Sequence, residues 1–135
     1  MKLHFSSSDM MILFCIGTGT RFFNRGTSLK EIMSRSDCYD RSYFTTEELA
    51  DGLKKLLEVK FIEIKNNKIY PTNTYRKEKR LVCKKTNNIK NEWVELEKLL
   101  ARYNNVEVDF LPKLPLDFIT DESIEKAISD YLHNN

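Results

Sequence analysis

FTTEELADGLKKLLEVKFIEIKNNKIYPT, residues 44–72, decides the fold. Thr45-Thr46-Glu47-Glu48 has the form of a capping box. The Thr45 hydroxyl takes the amide three residues on, and Glu48 reaches back to the cap amide. Leu49, Leu53, Leu56 and Leu57 then make an apolar stripe with Ala50 at its edge, so a helix follows. After Val59-Lys60 the period changes to two. FIEIK alternates, Asn66-Asn67 supplies two residues tolerant of positive φ, and KIYPT returns. This register pairs Lys65 with Lys68 and Ile64 with Ile69, and puts Ile62, Ile64 and Ile69 on one face. Pro71 stands where the strand must leave its ladder.

Working toward the N-terminus, Ser28-Leu29-Lys30-Glu31 is another capping box, and Leu29, Ile32 and Met33 share a face. Ser36-Asp37 is read as the end of that helix, with CYDRSY as connector. Farther back, Ser6-Ser7-Ser8-Asp9 offers cap oxygens before MMILFCI, and Gly17-Thr18-Gly19 stops the element. A segment apolar nearly all round is expected to be buried on every side. GTGTRFFNRGT reads as a connecting loop, since it lacks the Lys-Ser/Thr ending of a phosphate loop.

Three helices followed by a two-stranded hairpin, over roughly residues 6–72, resemble the winged helix-turn-helix fold of many bacterial regulators. The likeness is carried by SLKEIMSRSD, TTEELADGLKKLLEV and FIEIKNNKIYPT. The stretch SLKEIMSRSDCYDRSYFTTEELADGLKKLLEVKFIEI is similar, more narrowly, to a group of short uncharacterised bacterial proteins with a winged helix. The resemblance implies a recognition helix at 45–59 and a wing at the hairpin. The connection from Asp37 to Phe44 is long beside the 3–4-residue turn of the motif.

Charge argues against the reading role that such a helix would have. At about 100° per residue the face opposite the leucines collects Glu47, Glu48, Asp51, Lys54, Lys55 and Glu58, four acids against two bases. Acids in a first turn are favoured by the helix dipole, by about 0.3–1 kcal/mol each. The same turn is the part that meets base edges in a DNA-bound helix, and there carboxylates face phosphates.

The whole chain, 135 residues with net charge +2, is unevenly charged. Residues 1–72 carry 11 basic and 9 acidic side chains, residues 73–90 carry 7 and 1, and residues 91–135 carry 4 and 10. The basic block, with Arg76, Lys77, Lys79, Arg80, Lys84 and Lys85 next to a wing tipped by Lys65 and Lys68, suits phosphates, or alternatively neutralises the acidic tail. NEWVELEKLLARY is a helix whose Trp93, Leu96, Leu100 and Tyr103 are spaced three, four and three, with Ile89 extending the seam. Tyr75, Val82, Ile89, Leu96 and Tyr103 recur every seven residues, a register for packing on another helix within the chain or across a homodimer. VEVDF alternates like a short strand, and LPKLPLDF is an extended connector. ITDESIEKAISDYLHNN is a last helix, capped by Thr120 or Asp121, with Ile124, Ala127, Ile128, Tyr131 and Leu132 on its apolar face.

The expected architecture is mainly α with a small β-hairpin. A winged helix of three helices plus wing occupies residues 1–73. A helical extension occupies residues 74–135, made of a basic segment at 74–90, a helix at about 91–103 and another at about 120–133. It packs on the first part or on a second subunit. His4 and His133 lie in no ligand-spaced cluster, Cys15, Cys38 and Cys83 form no CxxC pair, and no nucleophile elbow occurs. No enzyme activity, cofactor or metal is expected. No run approaches the ~18 apolar residues of a membrane span, so the expected location is the cytoplasm. Two functions fit: a module for a protein partner or self-association, or a nucleic-acid binder using 75–90 and the wing.

Overall fold

The computed structural model describes residues 2–17, 26–82, 89–108 and 115–133, with only the backbone at 17 and 89–91. The described residues form α1 (Ser7–Gly17), α2 (Leu29–Asp40), α3 (Thr46–Glu58), β1 (Ile62–Lys65), β2 (Lys68–Pro71), α4 (Asn73–Val82), α5 (Ile89–Ala101) and α6 (Asp121–His133). The protein is mainly helical with a two-stranded antiparallel hairpin.

The core is organised around α1. Met10, Ile12, Leu13, Phe14, Cys15 and Ile16 are all buried, because α2, α3, α5 and β2 surround the helix. Its start is a capping box with aspartate in the reciprocal role: Asp9 N–H donates to Ser6 Oγ (3.2 Å) and Ser6 N–H to Asp9 Oδ2 (2.8 Å). At its other end, where helix carbonyls lack partners, Arg35 Nη1 donates to Cys15 O (2.7 Å) while Nη2 pairs with Glu31 (3.0 Å). Burial pushes the Cys15 thiol up to about 12, with Arg35 opposing more weakly, so this cysteine is an inert core residue.

The α2 helix runs one turn past its expected end. Ser36 and Asp37 do not stop it, because tertiary partners satisfy both side chains. Ser36 Oγ donates to Ser42 O (2.6 Å), and Asp37 Oδ2 accepts from Tyr131 Oη (2.8 Å). Arg41, at φ 52°, terminates the helix in the left-handed region. The α2–α3 connection is therefore Arg41–Thr45, shorter than the stretch from Asp37 to Phe44 that the sequence suggested.

Both capping boxes, at Ser28/Glu31 and Thr45/Glu48, are formed. In α3, Leu49, Leu53 and Leu56 are fully buried, each worth about 1.5–3 kcal/mol. Gly52 faces α1 so closely that a Cβ there would lie 2.5 Å from Ile12 Cδ1 and 2.9 Å from Asp9 Oδ1.

The hairpin has the expected register, Lys65 with Lys68 and Ile64 with Ile69, around Asn66 (φ 52°) and Asn67 (φ 62°). Pro71 does not leave the ladder. It ends β2 opposite Ile62. Thr72 N–H donates to Phe61 O (2.9 Å), which makes Ile62–Pro71 a pair without backbone hydrogen bonds, so the missing amide costs nothing toward β1. On the other side of β2, Thr27 exchanges bonds with Ile69 (2.7 and 2.9 Å) as a one-residue third strand. Gly26 before it takes φ 72° beneath the Tyr70 ring, which a Cβ would strike at 2.7 Å.

The extension packs on the first part. α6 lies on α2, and α4 lies on α5, which also contacts α1. Phe61 packs between Tyr75 (5.3 Å between ring centroids) and Tyr103 (5.4 Å), so the start of α4 adjoins the end of α5. VEVDF is not a strand in its described part. Glu107 makes an isolated bridge with Lys2, closing the N-terminus onto the turn after α5. No helix among the described residues is long and apolar enough to cross a membrane.

Candidate functional site

The first turn of α3 begins at Thr45, whose cap geometry projects Glu47 and Glu48 outward. Glu48 accepts from Thr45 N–H (2.9 Å) and from Ser8 Oγ (3.1 Å). The Thr45 backbone bond outweighs desolvation and keeps this carboxyl below its ordinary range, so it is charged. Thr46 Oγ1 donates to Asp121, the first residue of α6, which brings another acid to the same end of α3.

Lys55, assigned to the outward face by helical angle, turns inward instead. Its Nζ lies 2.8 Å from Asp9 Oδ2 and 2.9 Å from Asp51 Oδ2, with its side chain 16% exposed and that of Asp9 2%. Desolvation lowers the Lys55 pKa, but the two carboxylates win and the net shift is upward. Lys55 thus neutralises Asp51 as well as Asp9, and the rest of the outward face carries Glu47, Glu48 and Glu58 beside Lys54.

Among the described residues, those read as phosphate-binding divide into three groups. Lys77 and Arg80 are exposed on the outer face of α4. Arg76 donates to Asn73 Oδ1 (2.8 Å) and Lys79 pairs with Glu92 of α5 (3.0 Å), so these two serve the helix and its packing. Lys65 and Lys68 are exposed at the hairpin tip, Lys65 loosely paired with Glu63 (3.7 Å). Lys84 and Lys85 lie outside the described residues. The principal neighbour of α4 is α5, whereas that of α3 is α1.

The seam residues pack within the chain. Leu96 and Leu100 are buried in the common core, Trp93 lies 5.5 Å from Phe14, and Tyr103 packs edge-on against Phe61, two residues beyond the end of α5. The Ile89 side chain lies outside the described residues.

Two features escaped the sequence reading. One is the clasp of α6 on α2: Tyr131 donates to Asp37, a bond that pushes its phenol up to about 12. The other is a cleft of about 270 Å³ between the start of α1, the end of α2, the α2–α3 connection and α5. It is lined by Ser7, Ser8, Met11, Asp40, Tyr43, Phe44, Glu48 and Trp93. Its residues come from three separate stretches of chain, 7–11, 40–48 and Trp93, so no local motif announces it. Among the described residues no group of three or more His, Cys, Asp or Glu is placed to hold a metal ion. No protein-family model, curated protein or solved structure matches the chain.

Proposed function

We propose that the chain is a winged-helix protein-interaction or self-association module, in which the helix corresponding to a recognition helix does not read bases. The observation that carries this reading is the acidic end of α3, where Glu47 and Glu48 stand beside Asp121 of α6. Three carboxylates where base edges would approach oppose a duplex through its phosphates, and only cytosine N4 would welcome them. The fold offers three helices, a hairpin and the Thr27 bridge as the frame of the winged helix, and the five-residue α2–α3 connection supports that frame.

The second reading, nucleic-acid binding through Lys77, Arg80, Lys65 and Lys68, is favoured by the exposure of all four. A salt titration with labelled duplex DNA separates the two. The interaction reading expects affinity no tighter than the ~10⁻⁴–10⁻⁶ M of non-specific binding, fading with salt. Sub-micromolar binding at physiological salt that Lys77→Ala and Arg80→Ala abolish would establish the second reading. Sedimentation velocity over a wide concentration range then tells self-association from a need for a different partner.

A further inference from the structure

We propose that the cleft between α1, α3 and α5 binds an organic cation, the ammonium or guanidinium end of a side chain or of a small amine. The walls are aromatic and polarisable: Trp93, Tyr43 and Phe44, with Met11. The acids of its lining are Asp40 and Glu48, both exposed, and no basic side chain lines it among the described residues. Aromatic rings attract a cation through their quadrupole, most strongly for tryptophan, and a desolvated cation gains more than an exposed one. A neighbouring carboxylate adds the charge that a neutral ligand cannot use.

The cleft is held open by its surroundings. Glu48 is fixed by Thr45 and Ser8, and Asp40 Oδ2 accepts from Ser42 Oγ (2.9 Å). Phe14, buried in the core, packs against both Trp93 (5.5 Å) and Tyr39 (5.1 Å), which supports the aromatic wall from inside. At about 270 Å³ the space lies just below the ~300–1,000 Å³ of sites for whole drug-sized ligands, which suits one cationic head group. Another cleft, about 200 Å³ between Phe5, Met10, Glu97 and Leu100, has one aromatic ring and one carboxylate, and offers no such combination.

The proposal deepens the interaction reading and rests on it only for the source of the cation: a lysine or arginine of a partner, or a free amine. Trp93 is the chain's one tryptophan, so its fluorescence reports directly on the cleft. The titrants are choline, its neutral isostere 3,3-dimethylbutanol, and short peptides containing lysine, trimethyl-lysine or arginine. Saturable change with the cations, and none with the alcohol, is the expected result. A tighter peptide arm assigns the site to a protein partner, and a tighter choline arm to a small amine. Glu48→Gln keeps a capping side chain while removing the charge. Combined with Asp40→Asn, it should weaken cation binding about tenfold, as expected for losing charge-assisted contacts. Asp130→Asn on α6 should leave it unchanged, with circular dichroism confirming the fold of each variant. Failure of every cation to saturate, or equal binding of the alcohol, overturns the site. That outcome is independent of the DNA titration, which tests the interaction reading itself.

Discussion

α3 and α4 are both amphipathic and highly charged, yet the structure uses their charges in opposite ways. In α3 a lysine is drawn under the surface to serve a nearly buried aspartate while it also pairs with Asp51, which leaves Glu47 and Glu48 as the acids at the start of the helix. In α4 the ion pair of Lys79 with Glu92 is half-buried on both sides, with no fully covered acid in it, and two further bases face solvent. The difference teaches that counting charges along a helix predicts its outward potential only when no neighbouring element presents an unsatisfied opposite charge. Asp9, committed to capping α1 and covered by α3, is such a charge.

The largest effect expected from breaking this contrast is at Lys55. Lys55→Met leaves Asp9 buried without its counter-ion and should cost about 3 kcal/mol in urea unfolding, the low end for removing one partner of a buried pair. Lys79→Met, removing a half-buried pair whose acid still reaches solvent, should cost less, about 1 kcal/mol. Similar losses for both would erase the distinction. The pH dependence has a definite sign. The folded pKa of Lys55 is raised above 10.5, so its contribution is complete below that pH and is lost as pH rises through the raised value. The stability gap between wild type and Lys55→Met should accordingly be flat at neutral pH and close only in alkali.

Next comes the approach of α1 and α3 that makes the buried pair possible. Helix propensity alone would favour Gly52→Ala by about 1 kcal/mol. The Cβ would strike Ile12 and Asp9, so the net expectation is a loss of about 1–3 kcal/mol, measured by denaturant midpoint. A stabilised variant would show that the two helices have room to separate.

A smaller effect belongs to the hairpin between α3 and α4. Asn67→Ala puts an ordinary side chain at φ 62° and should cost about 1–2 kcal/mol, while Asn67→Gly should be tolerated. Equal melting temperatures for the two would mean that the turn does not hold the left-handed geometry. The smallest effect is on α4 itself: Lys77→Ala and Arg80→Ala, with their side chains in solvent, should change stability by no more than about 0.5 kcal/mol. These two variants are therefore clean probes for the DNA titration.

Much of the fold was legible because its signals are local. A capping box needs four residues, a two-residue turn needs two, and an apolar stripe needs about four turns. Hence Ser28/Glu31, Thr45/Glu48, Asn66-Asn67 and the burial of MMILFCI could be read directly. Several misreadings arose where a polar side chain found a partner outside its own helix. Ser36-Asp37 looked like a terminator until Ser42 and Tyr131 satisfied it, and Thr27 showed no strand pattern because one residue carries no period. The cleft was invisible for the same reason, since Trp93 and Glu48 are 45 positions apart.

By itself, the order of residues determined α1, α3, α5, α6 and the start of α2, the hairpin and its register, and the acidic start of α3, because these follow from backbone hydrogen bonding and periodic burial over short range. Only the tertiary structure decided that α6 clasps α2, that the α5 seam lies in the chain's own core, that Lys55 turns inward, and that rings and carboxylates from separate elements meet around one cleft. Those outcomes depend on which desolvated group finds a partner across the fold, and that is a property of packing rather than of sequence spacing.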